Sequence, residues 1–348
     1  MPRVVGVDPG TVSIDICGLD DGELRLDCSI PTADALADPA GLVALLRGTS
    51  PPDLIAGPSG YGLPLVPAAS VTDEDLRLAF LAPPGEGGGI GGLRRLAAVL
   101  GRSGLPVVYT PGVIHLDTVP AHRKVNRVDL GTADKVAAAA LGIADQAQRL
   151  GIPPEDTAFI LLELGGAFSA ALAVGGGQVV DGLGGSSGPI GWRSAGAWDG
   201  EVAYLAGAVT KELLFRGGAR DVAARGAAGP SVALEAFIES AVKAARAMLG
   251  AVPAPKEILL SGRALAEPGV GPRLQTELAR LAPVRRLDGF ARAAKPAAQG
   301  AAILADGLAG GRWARLVEVM RIRAAAGSAL DHLVVITPAE ARRRLGLD

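Results

Sequence analysis

The feature that most constrains the fold of this chain is a repeated pattern of apolar strand, acidic residue, glycine turn and second apolar strand. The first copy reads VVGVDPGTVSID and contains Asp8 and Gly10, and the second reads FILLELGGAFSAALAV and contains Glu163 and Gly165. Both pairs of equivalent residues are 155 positions apart, and a serine follows each turn, one residue later in the second copy. A whole pattern that recurs at a fixed offset indicates a duplicated structural unit better than either copy alone.

The residues around each copy predict a three-stranded antiparallel meander. A tight turn follows the second strand of each copy, and a third apolar run follows that turn. Elsewhere, short apolar runs predict strands, and apolar residues at helical spacing predict helices, with Thr132 as an N-cap. These strands lie at 53–56, 106–110, 257–260 and 333–336, and the helices lie at 34–48, 92–101, 132–150, 231–249, 272–281 and from Pro296 onward. The pattern predicts an α/β fold.

The length of the chain, 348 residues, suits two domains. We place an N-terminal domain at 1–152 and a C-terminal domain at 153–310. A C-terminal extension at 311–348 is expected to pack back on the first domain. Only 3% of the residues are aromatic and 49 are glycine, which is typical of an α/β protein packed with small aliphatic side chains and rich in tight turns.

Charge, cysteine content and hydropathy exclude several classes of function. The formal net charge is −2, which gives no electrostatic footprint for nucleic acid. The two cysteines, Cys17 and Cys28, do not form a metal or disulfide pattern. No signal-like start or apolar run of about 18 residues is present, so no membrane partner is expected. These features favour a soluble, cytoplasmic protein that acts on small molecules, and a homodimer is compatible with them.

The two acid–glycine turns have the chemistry that phosphoryl transfer requires. That reaction needs a cation on the phosphate oxygens, and N–H and hydroxyl groups around the phosphates. Asp8 and Glu163 could orient a hydrated Mg²⁺, while backbone amides at 10–13 and 165–169 bind phosphates. The alternative is that both acids are ordinary turn residues.

These turns, the segment LLSGR at 259–263 and the small-residue helix QGAA at 299–302 together resemble the nucleotide-binding segments of the acetate and sugar kinase/actin superfamily. The resemblance spans essentially the whole chain. It implies two duplicated ribonuclease H-like (actin-like ATPase) domains with ATP and Mg²⁺ in the cleft between them. Asp8 and Glu163 are the implied metal residues, although the superfamily usually has Asp where this chain has Glu163. The implied nucleotide-binding residues are Gly10, Thr11, Ser13, Gly165, Gly166, Ser169, Ser261, Gly262 and Arg263.

Three further segments resemble those of an uncharacterised prokaryotic branch of this superfamily, the predicted butyrate kinases. They are GPSGYG at 57–62, NRVDLGTADK at 126–135 and GAWDGE at 196–201. The resemblance implies catalytic roles for Asp8, Arg127, Asp129 and Asp134. It implies substrate-binding roles for Ser59, Tyr61, Asn126, Lys135, Arg193 and Asp199.

The function that this resemblance implies is an ATP-dependent kinase that transfers the γ-phosphoryl group to a short-chain carboxylate and forms an acyl phosphate. Arg127 would bind a carboxylate or the transferring phosphoryl group through its guanidinium. Asp129 or Asp134 would act as general base only for an alcohol, because a carboxylate is already ionised at neutral pH. Two alternatives remain, a kinase of an alcohol or sugar-like acceptor and a nucleotide-binding regulatory protein with little or no phosphotransfer.

Overall fold

A computed structural model describes residues 2–10, 12–48, 50–57, 60–83 and 88–347, and these residues form two compact units. Unit 1 contains Met1–Val128, Thr132–Glu155 and Gly289–Asp348, and unit 2 contains Asp129–Gly131 and Asp156–Asp288. The sequence placed the second domain at 153–310 and a separate extension after it. In the structure everything from Gly289 onward belongs to unit 1.

Each unit is built on one mixed sheet. Within the described residues, the sheet of unit 1 has the order β3-β2-β1-β4-β6-β5 and the sheet of unit 2 has the order β11-β10-β7-β8-β9. The strands are β1 (Arg3–Pro9), β2 (Ser13–Asp20), β3 (Glu23–Pro31), β4 (Leu54–Gly57), β5 (Val66–Pro67), β6 (Val107–Tyr109), β7 (Ala158–Leu164), β8 (Ser169–Gly175), β9 (Gln178–Leu183), β10 (Glu257–Ser261) and β11 (Val284–Arg286).

The two sheets have the same plan. The strands β1, β2 and β3 form an antiparallel meander, and β4 and β6 continue the sheet parallel to β1. In unit 2 the strands β7, β8 and β9 form the meander, and β10 and β11 continue it in parallel. The predicted fold class, an α/β chain with duplicated ribonuclease H-like domains, is therefore confirmed.

Helices cover these sheets. They are α1 (Thr32–Ala37), α2 (Pro39–Arg47), α3 (Asp73–Phe80), α4 (Gly88–Arg102), α5 (Ala121–Lys124), α6 (Ala133–Leu150), α7 (Gly200–Ala206), α8 (Ala219–Ala223), α9 (Gly229–Met248), α10 (Val270–Leu278), α11 (Pro296–Leu308), α12 (Ala314–Val319) and α13 (Pro338–Arg344). None of the helices in the described ranges has the length and hydropathy to cross a bilayer.

The helix α11 explains why the end of the chain belongs to unit 1. It packs on β1 and α6 so closely that two glycines are required at the contacts. A Cβ atom on Gly6 would lie 2.1 Å from the backbone nitrogen of Ala302, and one on Gly300 would lie 1.7 Å from the carbonyl oxygen of Ala137. Because real Cβ atoms do not approach backbone atoms this closely, small residues at these positions fix α11 against the first sheet.

Two local predictions differ from the structure. The helix predicted over 34–48 is two helices, because Pro39 begins α2 and the side chain of Asp38 caps it by accepting the backbone N–H of Gly41 at 2.9 Å. The strand predicted at 333–336 is wrong, since this segment forms bends. Its backbone N–H groups at Val334 and Val335 donate to the side chain of Asn126, at 2.7 and 2.9 Å, and not to a strand.

Candidate functional site

The turn between β1 and β2 is short and tightly bonded. Asp8 lies opposite Asp15 in the antiparallel pair, and the backbone N–H of Gly10 donates to the carbonyl of Ser13 at 2.9 Å. The hydroxyl of Thr32 donates to the carbonyl of Gly10 at 2.8 Å. A Cβ on Gly10 would lie 2.8 Å from the Ser13 carbonyl oxygen, so the tight turn needs glycine there. The predicted residue Thr11 lies outside the described residues.

The turn between β7 and β8 has the same geometry. The backbone N–H of Gly165 donates to the carbonyl of Phe168 at 2.9 Å, which matches the bond from Gly10 to Ser13. The two turns therefore have equal length, and the structural counterpart of Ser13 is Phe168. Ser169 is one position further along, inside β8, where it takes the place of Ile14.

This register changes the expectation for Ser169. Its side chain is 0% exposed, and its hydroxyl has no hydrogen-bond partner within the described part of the chain. A hydroxyl that is buried in the sheet is not available to a phosphate outside it. The serine that follows the second turn in the sequence is thus not equivalent to the serine of the first.

The first turn carries an ion pair that the sequence did not reveal. Asp15 is 1% exposed and forms a salt bridge with Lys295, whose side chain is 36% exposed. The hydroxyl of Ser13 donates to Asp15 at 3.0 Å and accepts from the Lys295 ammonium at 2.7 Å. Lys295 is the N-cap residue of α11, 280 positions after Asp15. Its only signal in the sequence is its place directly before the proline that begins this helix.

Asp8 is the carboxylate at the centre of the site in unit 1. It is 8% exposed, and burial raises its pKa to about 7, with the negative charge of Asp134 as the next cause. The charges of Lys295 and Lys135 act in the opposite direction, and that of Asp15 raises the pKa slightly further. The site therefore has an excess of negative charge that burial makes costly.

Asp134 lies in the first turn of α6, and its pKa is shifted in the opposite direction to that of Asp8. Its carboxylate accepts a hydrogen bond from the hydroxyl of Thr132 and forms a salt bridge with Lys135. Burial alone would raise the pKa of Asp134, but Lys135 and Thr132 outweigh it and bring the pKa below its usual value. Thr132 stands at the N-cap position as predicted, although its hydroxyl bonds to Asp134 and not to a backbone N–H.

The donor set of unit 1 fits a hydrated Mg²⁺. Magnesium prefers oxygen ligands and commonly keeps most of its waters, with one or two carboxylates and a substrate phosphate completing its coordination. Asp8 and Asp134 supply such carboxylates, and a cation there would offset the burial and the negative charge of Asp134 that raise the pKa of Asp8. Within the described ranges, no group of three or more metal-ligating side chains forms a closed protein site.

Residues of unit 2 gather around the second turn. Ser261 lies opposite Glu163 in the neighbouring parallel strand, and Gly262 follows with a φ of 105°. A Cβ on Gly262 would lie 2.2 Å from the carbonyl oxygen of Leu164, so only glycine allows this approach. The Cδ atom of Arg263 lies 3.6 Å from the position of a Cβ on Gly166. The structure thus brings together the predicted residues Glu163, Gly165, Gly166, Ser261, Gly262 and Arg263.

Asp129 acts as an anchor for the loop after β9. It is buried, and one carboxylate oxygen accepts both the backbone N–H and the hydroxyl of Ser186 at 2.9 Å. The other oxygen accepts the backbone N–H of Gly131 at 3.1 Å. These contacts explain why Asp129–Gly131 belongs to unit 2. They leave the carboxylate poorly suited to act as a general base, because both oxygens already hold loop donors.

The other predicted residues of unit 1 are spread over its loops. Arg127 is exposed. Asn126 has a φ of 53°, and its side chain holds the segment at Val334 and Val335. The backbone N–H of Tyr61 donates to the carbonyl of Ala79 at 2.8 Å. Ser59 lies outside the described residues.

The two remaining predicted residues belong to unit 2. The guanidinium of Arg193 lies 5.7 Å from the centre of the Phe215 ring. Asp199 is exposed and caps α7 by accepting the backbone N–H of Glu201 at 2.8 Å. Both residues therefore have contacts within unit 2 that a structural role explains.

Comparison with known proteins supports the fold. The model of the family described as "Protein of unknown function (DUF1464)" matches residues 6–335. No curated protein matches the chain. Solved structures with the same fold include acetate kinase from Porphyromonas gingivalis (TM-score 0.57, 13% identity, 86% of this chain and 94% of that chain) and a propionate kinase from Francisella tularensis subsp. tularensis SCHU S4 (TM-score 0.57, 13% identity, 86% and 99%). Acetate kinase from Entamoeba histolytica is similar as well (TM-score 0.55, 11% identity, 80% and 87%). The chain therefore has the fold of these acetate and propionate kinases.

Proposed function

Because the chain belongs to the family described as "Protein of unknown function (DUF1464)" and has the fold of acetate and propionate kinases, we propose that it is an ATP-dependent kinase of a small molecule. The observation that carries this proposal is the cluster of charged side chains at the first glycine turn, in which the carboxylates of Asp8 and Asp15 are buried. A tight turn needs no such charges for its own stability. Phosphoryl transfer needs them, because its catalysis is mainly positioning and electrostatic stabilisation.

In this proposal the first turn binds the phosphates of ATP. Asp8 and Asp134 hold the hydrated Mg²⁺, which neutralises phosphate oxygens when bound. The backbone N–H of Gly10 is bonded to Ser13 within the turn, so the remaining N–H groups of the turn would donate to the phosphates. The turn after β7 offers the same backbone arrangement at Gly165 and Gly166, where Arg263 adds a positive charge.

We propose a short-chain carboxylate as the acceptor. A carboxylate oxygen attacks the γ-phosphorus, the bond from that phosphorus to the bridging oxygen breaks, and ADP leaves with the bonding electrons. The product is an acyl phosphate, and no proton has to move, because the acceptor is already ionised. Arg127, which is an exposed residue, would bind the acceptor carboxylate through two hydrogen bonds from its guanidinium.

The state of Asp134 supports this choice of acceptor. Lys135 and Thr132 lower its pKa, so its carboxylate is a weak base. An alcohol acceptor would need a general base, and Asp134 is a poor one in this state, whereas a carboxylate acceptor needs none. The resemblance of 126–135 and 196–201 to predicted butyrate kinases supports the same class of substrate, as do the acetate and propionate kinases among the similar structures.

Trapping with hydroxylamine tests the proposal directly. The protein is incubated with Mg²⁺, ATP and acetate, propionate or butyrate, and the hydroxamate formed from acyl phosphate is measured together with ADP. We expect hydroxamate and ADP in equal amounts, and we expect Asp8→Asn to slow both by about 100-fold or more. Asp73→Asn is a matched control, because Asp73 is an exposed acid on α3.

Three outcomes separate the possible functions. ADP release that depends on an added sugar or alcohol, without hydroxamate, would replace the carboxylate by a hydroxyl acceptor. ATP binding without transfer to any acceptor would favour a regulatory nucleotide-binding protein. If the wild-type protein binds no ATP at all, the proposal is wrong.

A further inference from the structure

We propose that Lys295 is the phosphate-binding side chain of the first turn, and that Ser13 serves to position it. This inference rests on the proposed function, because it assumes that the turn receives the phosphates of a nucleotide. It assigns a role to a residue that no motif in the sequence pointed to, since Lys295 is remote from the turn along the chain.

The ammonium of Lys295 lies at the turn itself. Its Nζ atom is 3.1 Å from the position that a Cβ on Gly10 would occupy. The side chain is 36% exposed, whereas its partner Asp15 is 1% exposed. The lysine is therefore bound on one side to a buried carboxylate and open to solvent on the other. A ligand that reaches the turn meets the ammonium beside the backbone N–H groups.

The number of free hydrogen-bond donors favours Lys295 over Ser13 as the side chain that binds phosphate. The hydroxyl of Ser13 has one proton, which it donates to Asp15 at 3.0 Å, so this proton is not available to a phosphate. An ammonium has three N–H donors. In the described part of the chain, Lys295 uses two of them, one to Ser13 and one to Asp15, which leaves one for a ligand.

The segment before α11 is built to hold this lysine in place. The carboxylate of Asp27 accepts three consecutive backbone N–H groups, from Arg292 at 2.8 Å, Ala293 at 3.1 Å and Ala294 at 2.7 Å. Gln299, which is 0% exposed, accepts the backbone N–H groups of residues 290 and 291 and donates to the carbonyl of Ala294. Because this backbone is fixed in advance, Lys295 loses little conformational entropy when a ligand binds.

The charge balance of the site gives the lysine its importance. Asp8, Asp15 and Asp134 are carboxylates, and Lys135 is already paired with Asp134. A polyphosphate that approaches such a site would be repelled without a further positive charge. Lys295 is itself paired with Asp15, but that carboxylate is 1% exposed, so the ammonium is the charge that a ligand meets, whether or not Mg²⁺ is bound.

Isothermal titration with Mg²⁺·ATP, ADP and adenosine tests the assignment. The single variant Lys295→Met could unfold, because it leaves the buried Asp15 without its partner. The informative protein is therefore the double variant Asp15→Asn/Lys295→Met, in which both charges are removed at nearly constant volume. We expect it to keep the thermal stability of the wild type and to lose about 10- to 100-fold in affinity for ATP and ADP. Its affinity for adenosine should not change.

Three further variants identify the cause of any loss. Asp15→Asn alone keeps the lysine, and we expect its affinity for ATP to stay within about threefold of wild type. Lys295→Arg should recover most of the affinity, because it keeps a positive charge at the turn. Lys243→Met is the control for loss of a lysine, since Lys243 is exposed on α9.

The outcomes separate this inference from the function on which it rests. If wild type binds ATP and the double variant binds it equally well, Lys295 does not bind phosphate, while the proposed function stands. If the double variant loses adenosine binding as well, the loss reflects damage to the fold, and the assignment is refuted. If wild type binds neither ATP nor ADP, the proposed function and the role of Lys295 both fall.

Discussion

Replacing Asp8 by asparagine should stabilise the ligand-free protein and, at the same time, remove its Mg²⁺-dependent binding of nucleotide. The carboxylate is buried beside Asp134, and burial raises its pKa from 3.8 to about 7. A group whose pKa is higher in the folded than in the unfolded state favours folding at low pH, and this contribution is lost as the pH rises through the folded-state value. Asparagine has nearly the same shape but carries no charge to bury.

The two pKa values give the size of the effect. Relative to a side chain that does not ionise, the raised pKa of Asp8 destabilises the native state by about 2 kcal/mol near pH 5.5, where only the unfolded state is ionised, and by about 4 kcal/mol near pH 8, where both states are ionised. The stability advantage of Asp8→Asn should therefore grow by about 2 kcal/mol between these two pH values. A bound Mg²⁺ should abolish the advantage, because it stabilises the ionised carboxylate of the wild type.

Urea unfolding of both proteins in EDTA, and again with Mg²⁺ and ATP, measures this difference. Asp73→Asn serves as the control, since it removes an exposed acid from the same unit. A difference between wild type and Asp8→Asn that is constant from about pH 5.5 to about pH 8 would refute the reasoning about burial. An equal gain in stability with Mg²⁺ and ATP in both proteins would refute the metal role of Asp8.

Two further substitutions test how the sites are held. Gly6→Ala places a Cβ 2.1 Å from the backbone nitrogen of Ala302, and we expect it to cost about 3 kcal/mol and to lower Tm by about 6–12 °C in thermal unfolding. A Cβ on Gly200 would meet no neighbouring atom within 4 Å, so Gly200→Ala is the control and should leave Tm nearly unchanged. Asp129→Ala removes the acceptor of three hydrogen bonds, so backbone hydrogen exchange at 184–187 should increase. The free energy of unfolding of unit 2 should fall by about 3 kcal/mol. If Asp129→Ala loses activity with unchanged exchange and Tm, the residue is a base and not an anchor.

The repeated pattern predicted the two meanders because hairpin register follows from local sequence. Alternating apolar residues set which face of each strand is buried, and glycine at Gly10 and Gly165 fixes the turns. Local sequence could not predict where α11 packs. Its packing against β1 depends on a fit between Gly6, Gly300 and distant backbone atoms, and such contacts leave no periodic signal.

The candidate site was predictable only where its residues are close in sequence. Asp8 and Gly10 stand together in one motif, and so do Asp134 and Lys135. Lys295 was missed because its partners lie in β2, far from it in sequence, and only the packing of α11 brings them together. Ser169 was misjudged because the residue type was followed instead of the common offset of 155 positions, which aligns Phe168 with Ser13.

The second copy of the turn provides a comparison that shows which charged residues of the first turn the fold itself needs. Both turns close with the same 2.9 Å hydrogen bond, so the backbone geometry does not depend on the side chains around it. In unit 2 the positions of Ser13 and Asp15 are taken by Phe168 and Ala170, which are not charged. Burial of the Asp15 carboxylate costs free energy that the second copy avoids at the equivalent position, although Glu163 keeps an acid at the position of Asp8. The fold therefore does not require the ion pair of Asp15 and Lys295 at the first turn, and this pair is best explained by a ligand that carries charge of its own.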